Sequence, residues 1–289
     1  MVGAAVTILR VGAVAALVGQ ACGSPRPVAP TSPDLEILPL DAGSEARTPT
    51  TDGVRFGHPA PSPGATWSVA VRASSRSEDP LGGEQISTYE SEYTVEIVAV
   101  DGPAPSRVRL RFARNVLSFQ GQAKPTVIDG KEYLVDARAP HVRDKAGGAA
   151  PEAEAQRVLD VFPDLGTRTR IDEVLPDEAM RIGERRDELA AAVLRVIHPR
   201  AWTLRVGSAL LAEALGDHAR FAVTLDASSD TGLRMWLTGD ARVRMRDARL
   251  SELTLEGRYE QTAAGSTEPA GKFTLSRRVT SESEPRKGR

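Results

Sequence analysis

In Arg107-Val108-Arg109-Leu110-Arg111-Phe112 every second residue is apolar and each residue between is an arginine, and Ala241 to Arg246 repeats the arrangement. Leu253, Leu255 and Tyr259 alternate with Thr254, Glu256, Arg258 and Glu260, and Phe221, Val223 and Leu225 keep the same phase. Tyr93, Val95, Ile97 and Ala99 do so again, with Val98 and Val100 predicting a partly covered second face. Successive side chains of a strand point to opposite faces. These runs therefore predict a sheet packed on one side and wet on the other. Asp101-Gly102, Asp129-Gly130, Gly216-Asp217, Asp230-Thr231-Gly232 and Asp247-Ala248 fall between the runs. Such pairs favour tight reversals, so most neighbouring strands are expected to be antiparallel.

Two segments break the alternation. Pro151 to Phe162 sets Ala155, Val158 and Phe162 along one helical stripe, with proline in the first turn and Glu152 and Glu154 near the positive end of the dipole. Asp187 to Ile197 sets Leu189, Val193, Val196 and Ile197 on one face, closed by His198-Pro199. Two helices cannot cover both faces of a long sheet. The predicted class is α+β: a strongly curved antiparallel sheet, a half-barrel, with two or so helices on its concave face, over residues 64–280.

The ends read differently. Before Cys22 the only charge is Arg10, and Val11 to Val18 is short, apolar and rich in small residues. This is the layout of a secretory signal over residues 1–21, too short for a stable bilayer span. Residues 22–63 are rich in proline and small polar residues, and such a segment cannot bury enough surface to offset its ordering entropy. It reads as a disordered tether; about forty residues at about 3.1 Å each reach on the order of 100 Å. Leu35 to Leu40 is an alternative docked strand, and 281–289 reads as a frayed polar tail.

Cys22 is the only cysteine of the 289 residues, so no internal disulfide forms. Its place just past a signal-like stretch resembles the lipobox of bacterial lipoproteins, in which the thiol is acylated and becomes the new N-terminus. Gly19, Gln20 and Ala21 depart from the family's pattern, most at Gln20. Lipidation of Cys22 is the expectation, with plain secretion as the alternative. Farther on, Val174-Leu175-Pro176 and Met180-Arg181-Ile182-Gly183-Glu184, followed by strands ending in Leu253 to Glu260, resemble uncharacterised bacterial lipoproteins of half-barrel lipoprotein-carrier type. That resemblance implies a curved sheet holding helices against an apolar interior, and an address at the cell envelope. Arg185-Arg186 stand where such proteins often carry an aromatic residue.

Composition narrows the chemistry. A formal net charge of -2 argues against nucleic acid as a partner. Aromatic residues make up 4%, so Val, Leu, Ile and Ala must build the core. The only lysines are Lys124, Lys131, Lys145, Lys272 and Lys287; together with abundant Ala, Gly and Pro, this arginine bias fits a GC-rich bacterial genome. His58, His141, His198 and His218 lack metal-ligand spacing, no GxSxG nucleophile occurs, and Gly147-Gly148 lacks the ending of a phosphate loop. Asp172-Glu173 and Asp177-Glu178 read as exposed loop carboxylates. No catalytic residue, metal or cofactor is expected, and the chain reads as non-enzymatic.

Arg107, Arg109, Arg111, Arg242, Arg244 and Arg246 are the candidate site, either as a solvated, ion-paired outer face or as an anion patch for lipid head groups. The expected partners are the membrane, through the N-terminal lipid, and a lipid or another envelope protein. The leading functional expectation is an apolar ligand held between sheet and helices. A structural or interaction module with a self-filled core is the alternative.

Overall fold

The alternating runs form strands of a single antiparallel sheet. The computed structural model describes residues 53–78, 83–102, 104–137, 142–162, 165, 170–197, 202–229, 232–263 and 266–283. The expected signal stretch, Cys22 and the expected tether as far as residue 52 lie outside the described residues, as do His141, His198 and residues 284–289. In chain order the elements are β1 (Thr66–Glu78), β2 (Glu84–Asp101), β3 (Ala104–Phe119), β4 (Gln122–Pro125), β5 (Glu132–Asp136) and β6 (Val142–Asp144). Three helices follow: α1 (Glu152–Val161), α2 (Arg170–Val174) and α3 (Asp187–Ile197). Then come β7 (Trp202–Leu215), β8 (His218–Ser229), β9 (Leu233–Arg244), β10 (Arg249–Ala263) and β11 (Ser266–Ser283).

The strand order is β6-β5-β3-β2-β1-β11-β10-β9-β8-β7, with β4 added to β3. Neighbours in sequence pair as hairpins, while β1 joins β11 and so zips the two halves of the chain together. The sheet is not closed into a barrel, because β6 and β7 end the path without pairing. Among the described residues no helix is long and apolar enough to cross a membrane.

Register puts the buried side chains of the long strands on one face of this sheet. Reading laterally, Phe221 lies opposite Ala241, Ala241 opposite Leu253, and Leu253 opposite Arg277 on β11. The same row continues through Val71, Ser91 and Asn115. The row of Tyr93 and Phe112 and that of Val95 and Leu110 share the face, with Val95 and Leu110 fully buried. A bulge at Ala113, which has no partner on β2, changes the phase of β3. Before it Val108, Leu110 and Phe112 point inward; after it Asn115 and Leu117 do.

The helices lie against this dry face. Leu189, Ala190, Ala192 and Val193 of α3 are fully buried with Leu211 and Phe221 of β7 and β8, while Val158 of α1 is buried with Leu110, Tyr133 and Val135. Close approach of α3 depends on Gly207, where a Cβ would stand 3.0 Å from that of Ala190. The buried side chains form two clusters: one holds β7 to β11, α2 and α3 together with Val54, Phe56, Ala73 of β1 and Tyr89 of β2, and the other lies under β1 to β6 with α1.

Three sequence expectations change. The segment expected as a tether over 22–63 is docked on the domain near its end, at Val54 to Gly57. Val54 exchanges backbone bonds with Met180, Phe56 packs on Phe221, and the Gly57 amide donates to the Met245 carbonyl at 2.7 Å. Val54 and Phe56 are only two apolar residues in a proline- and glycine-rich stretch, and their burial comes from the surface that the domain offers them. Second, β11 runs to Ser283, past the expected domain end at 280. Third, Arg246 lies in the turn beyond β9 instead of extending its alternation.

Candidate functional site

The outer face carries the predicted arginines, and carboxylates stand beside them. Arg107 donates to Asp136 at 2.7 Å, and Arg109 donates to Glu96 at 2.7 Å and lies 3.4 Å from Glu132. Arg111 reaches Glu132 at 3.2 Å and Glu96 at 3.6 Å. Arg242 meets Glu252 across the β9–β10 hairpin at 3.3 Å, and Arg244 is clamped by both oxygens of Asp247. Strands β2, β1, β11 and β10 separate the two groups. At about 4.8 Å per strand they stand roughly 24 Å apart. The structure therefore does not bring the six arginines together.

A depression of about 360 Å³ on this face is lined by Glu213, His218, Arg220, Arg242, Glu252 and Arg278 among others. Its charges are internally matched: Arg220 bonds Glu213 and Asp240, and Arg278 bonds Glu252 at 3.0 Å. The Asp240 bond is the main cause that raises the Arg220 pKa above its usual value. Among the described residues no group of three or more side chains could hold a metal ion.

The dry face holds a different constellation, centred on the fully buried Asn115. The Asn115 amide nitrogen donates to the Tyr89 hydroxyl at 2.9 Å and to Ser91 at 2.8 Å. Its oxygen accepts from Thr126 at 2.6 Å and, at 3.4 Å, from Nη2 of Arg157. Its backbone amide donates to the Asp129 carboxylate. The phase change at Ala113 is what turns this amide inward.

Arg157 enters from α1, which is fastened to the sheet by Glu154. That carboxylate accepts from Lys131 at 2.7 Å and from the Tyr133 hydroxyl at 2.5 Å. These two bonds hold the Glu154 pKa below the usual carboxylate range, while burial and the Glu154 bond raise that of Tyr133. Arg157 itself is 8% exposed. Its guanidinium lies over the Tyr89 ring, 5.4 Å from the centroid, and its Nε has no hydrogen-bond partner among the described residues. Burial pulls its pKa below the ordinary arginine value, partly opposed by Tyr89 and Asp160. No carboxylate among the described residues lies within ion-pair distance of it.

Arg277 shares the face. It sits opposite Val71 and Leu253, both inward, and is half-buried with no ion pair among the described residues. Sequence reading missed all of these. Two signals were present: Phe273, Leu275, Arg277 and Val279 form an alternation whose apolar phase contains an arginine, and the arginine spacing on β3 lengthens from two to three at Arg111 to Arg114.

No protein-family model matches the chain, and no curated protein does. Among solved structures, DynF from the dynemicin biosynthesis pathway of Micromonospora chersina is similar at 10% identity, over 84% of this chain and 95% of that one, with a TM-score of 0.22. At that score the likeness says nothing about this chain's fold or role.

Proposed function

We propose that this protein is a non-catalytic lipoprotein of the bacterial cell envelope, anchored through Cys22, which shelters an apolar or amphiphilic ligand between its sheet and its helices. The observation that carries the reading is the dry face. It is continuous across the sheet, yet its packing is divided into two clusters, one under α3 and one under α1. At their seam Val71 packs against both clusters, in one row with Ser91 and Asn115, while Ala73, Tyr89 and Leu117 beside it form the edge of the α3 cluster; of these Val71 and Leu117 are only half-buried. An acyl chain laid along that seam finds aliphatic walls on both sides, and its transfer from water gains about 0.8 kcal/mol per buried CH₂.

The sheet bends about the helices as a half-barrel in this reading. Gly239, Gly257 and Gly271 support the bend. They sit on the inward phase of β9, β10 and β11, and a Cβ at Gly271 would strike the Tyr259 ring. Glycine on the crowded side lets strands curl without clash.

A self-filled interaction module is favoured by one specific observation: Leu189, Val193, Leu211 and Phe221 seal the α3 half with the chain's own side chains. Native mass spectrometry of the gently purified full chain separates the two readings. A co-purifying amphiphile supports carriage. A ligand-free mass, with no thermal shift on adding lipid, supports the module. The anchor is tested separately: mass spectrometry of the membrane fraction should find a diacylglyceryl or triacyl group on Cys22, and a bare thiol in a soluble mature chain overturns it.

A further inference from the structure

Arg107, Arg109, Arg111, Arg242 and Arg244 each have a carboxylate at ion-pair distance; among the described residues Arg157 and Arg277 have none. We propose that the Arg157–Asn115 cluster is an oxyanion site that receives the acidic head group of an amphiphile whose chain lies in the seam. The inference rests on the reading of the seam as a ligand groove, and it names the ligand's chemical class.

The argument is a count of donors and acceptors. A guanidinium offers five N–H donors and no acceptor. At Arg157 they are met by one long bond to Asn115 and by a ring face, and Nε–H has nothing. Both lone-pair positions of the Asn115 oxygen are already used, by Thr126 and Arg157. Tyr89 and Ser91 each accept from the Asn115 amide, which leaves both hydroxyl protons free to donate. The Asp129 carboxylate is taken up by the Asn115 backbone amide, and among the described residues no carboxylate reaches ion-pair distance of Arg157. The cluster therefore has a surplus of donors and an unpaired positive charge, buried where leaving them unmet is costly. A carboxylate or phosphate head group has the complementary deficit: it accepts only, and it pairs with a guanidinium in a two-pronged geometry.

The apolar surroundings extend the requirement. In register, Ser91 and Asn115 are flanked by Val71, and Tyr89 is flanked by Ala73 and Leu117. A small hydrated anion would gain nothing from them, whereas an amphiphile would fill both kinds of surface. Arg277 lies in the same lateral row as Asn115, with β1 and β2 between. That is about 14 Å between backbones, a span that long arginine side chains narrow from both ends. It supplies a second positive charge on the same face.

The test uses the exported full chain carrying Cys22→Ser, so that no anchor lipid competes. Binding of palmitate, hexadecyl phosphate and hexadecanol is measured by calorimetry; the chain length is common and only the head group differs. One or both acids should bind roughly 10- to 100-fold tighter than the alcohol, as expected for hydrogen bonds to a charged partner. Which acid is preferred tells carboxylate from phosphate. Arg157→Met should erase the preference while hexadecanol still binds, and Arg277→Met should reduce it less.

Asn115→Asp guards against a variant that simply fails to fold. It supplies an internal carboxylate to the same donors and should stay folded by circular dichroism while losing the preference for acids. Equal binding of all three ligands overturns the oxyanion site and leaves the apolar groove standing. A preference that survives in Arg157→Met also overturns it. Binding of none of the three overturns the groove and the inference together.

Discussion

The two faces of the sheet treat arginine in opposite ways. Outside, Arg109, Arg111, Arg242 and Arg278 are exposed or half-exposed, and each stands beside a glutamate of an adjacent strand. Inside, Arg157 is enclosed and has no carboxylate within ion-pair distance among the described residues, with Asp160 acting on it only from farther away. Water could solvate the outer set without help, yet it is compensated. The inner group needs a counter-charge far more, because burial magnifies both the attraction and the penalty. Charge in the outer set contributes to solubility and to strand register. A charge kept inside against that penalty points to a use other than stability.

The largest effects should come from breaking the inner set. Asn115→Ala removes the hub that holds Tyr89, Ser91, Thr126 and Arg157 at once. The loss should be about 2–3 kcal/mol in denaturant unfolding of the ligand-free chain. Arg157→Met should behave differently: with no partner carboxylate to orphan, replacing a buried charge by an apolar side chain should leave ligand-free stability unchanged or raise it by about 1–2 kcal/mol. If Arg157→Met instead destabilises as much as Asn115→Ala does, the guanidinium is a structural bolt and the contrast between the faces fails.

Much of this contrast could be read from the letters, though not its inner member. The outer arginines declare themselves because Arg107 to Phe112 alternates without interruption, and pairing with Glu252 needs only the hairpin that Asp247-Ala248 already signals. Both expected helices also form, α1 at Glu152–Val161 and α3 at Asp187–Ile197, because each carries an apolar stripe with a period distinct from that of the strands. Asn115 stays hidden because a single unpaired residue, Ala113, reverses its face, and no local pattern announces a bulge. Arg157 falls off the Ala155-Val158-Phe162 stripe and so reads as solvent-facing. It is buried because Tyr89 and Asn115, distant in sequence, stand beneath it. The docked Val54 and Phe56 are illegible for the same reason, since long-range context decides them.

A smaller effect belongs to the fastening of α1. The Glu154 pKa is lowered in the folded protein by its bonds to Lys131 and Tyr133. A depressed folded value means that this stabilisation is fully present above the ordinary carboxylate range and is lost as pH falls through the folded pKa. The unfolding midpoint of Glu154→Gln should therefore lie below that of the unaltered chain at pH 7, and the gap should close on acidification toward pH 3. A gap that stays constant with pH would mean that the carboxylate's charge plays no part in holding the helix over Arg157.

The smallest effect should be found on the outer face. Arg242 and Glu252 approach to 3.3 Å with side chains 57% and 31% exposed, and Glu252 is shared with Arg278. Exposed pairs of this kind contribute about 0.2–1 kcal/mol, and less as salt screens them. A double-mutant cycle with Arg242→Ala and Glu252→Ala should return a coupling within that range at low salt and close to zero at 1 M. Because Arg278 competes for the same carboxylate, adding Arg278→Ala should strengthen the Arg242–Glu252 coupling. A large, salt-insensitive coupling would place the outer pair in the same energetic class as the buried cluster, and the distinction drawn between the two faces would then rest on geometry alone.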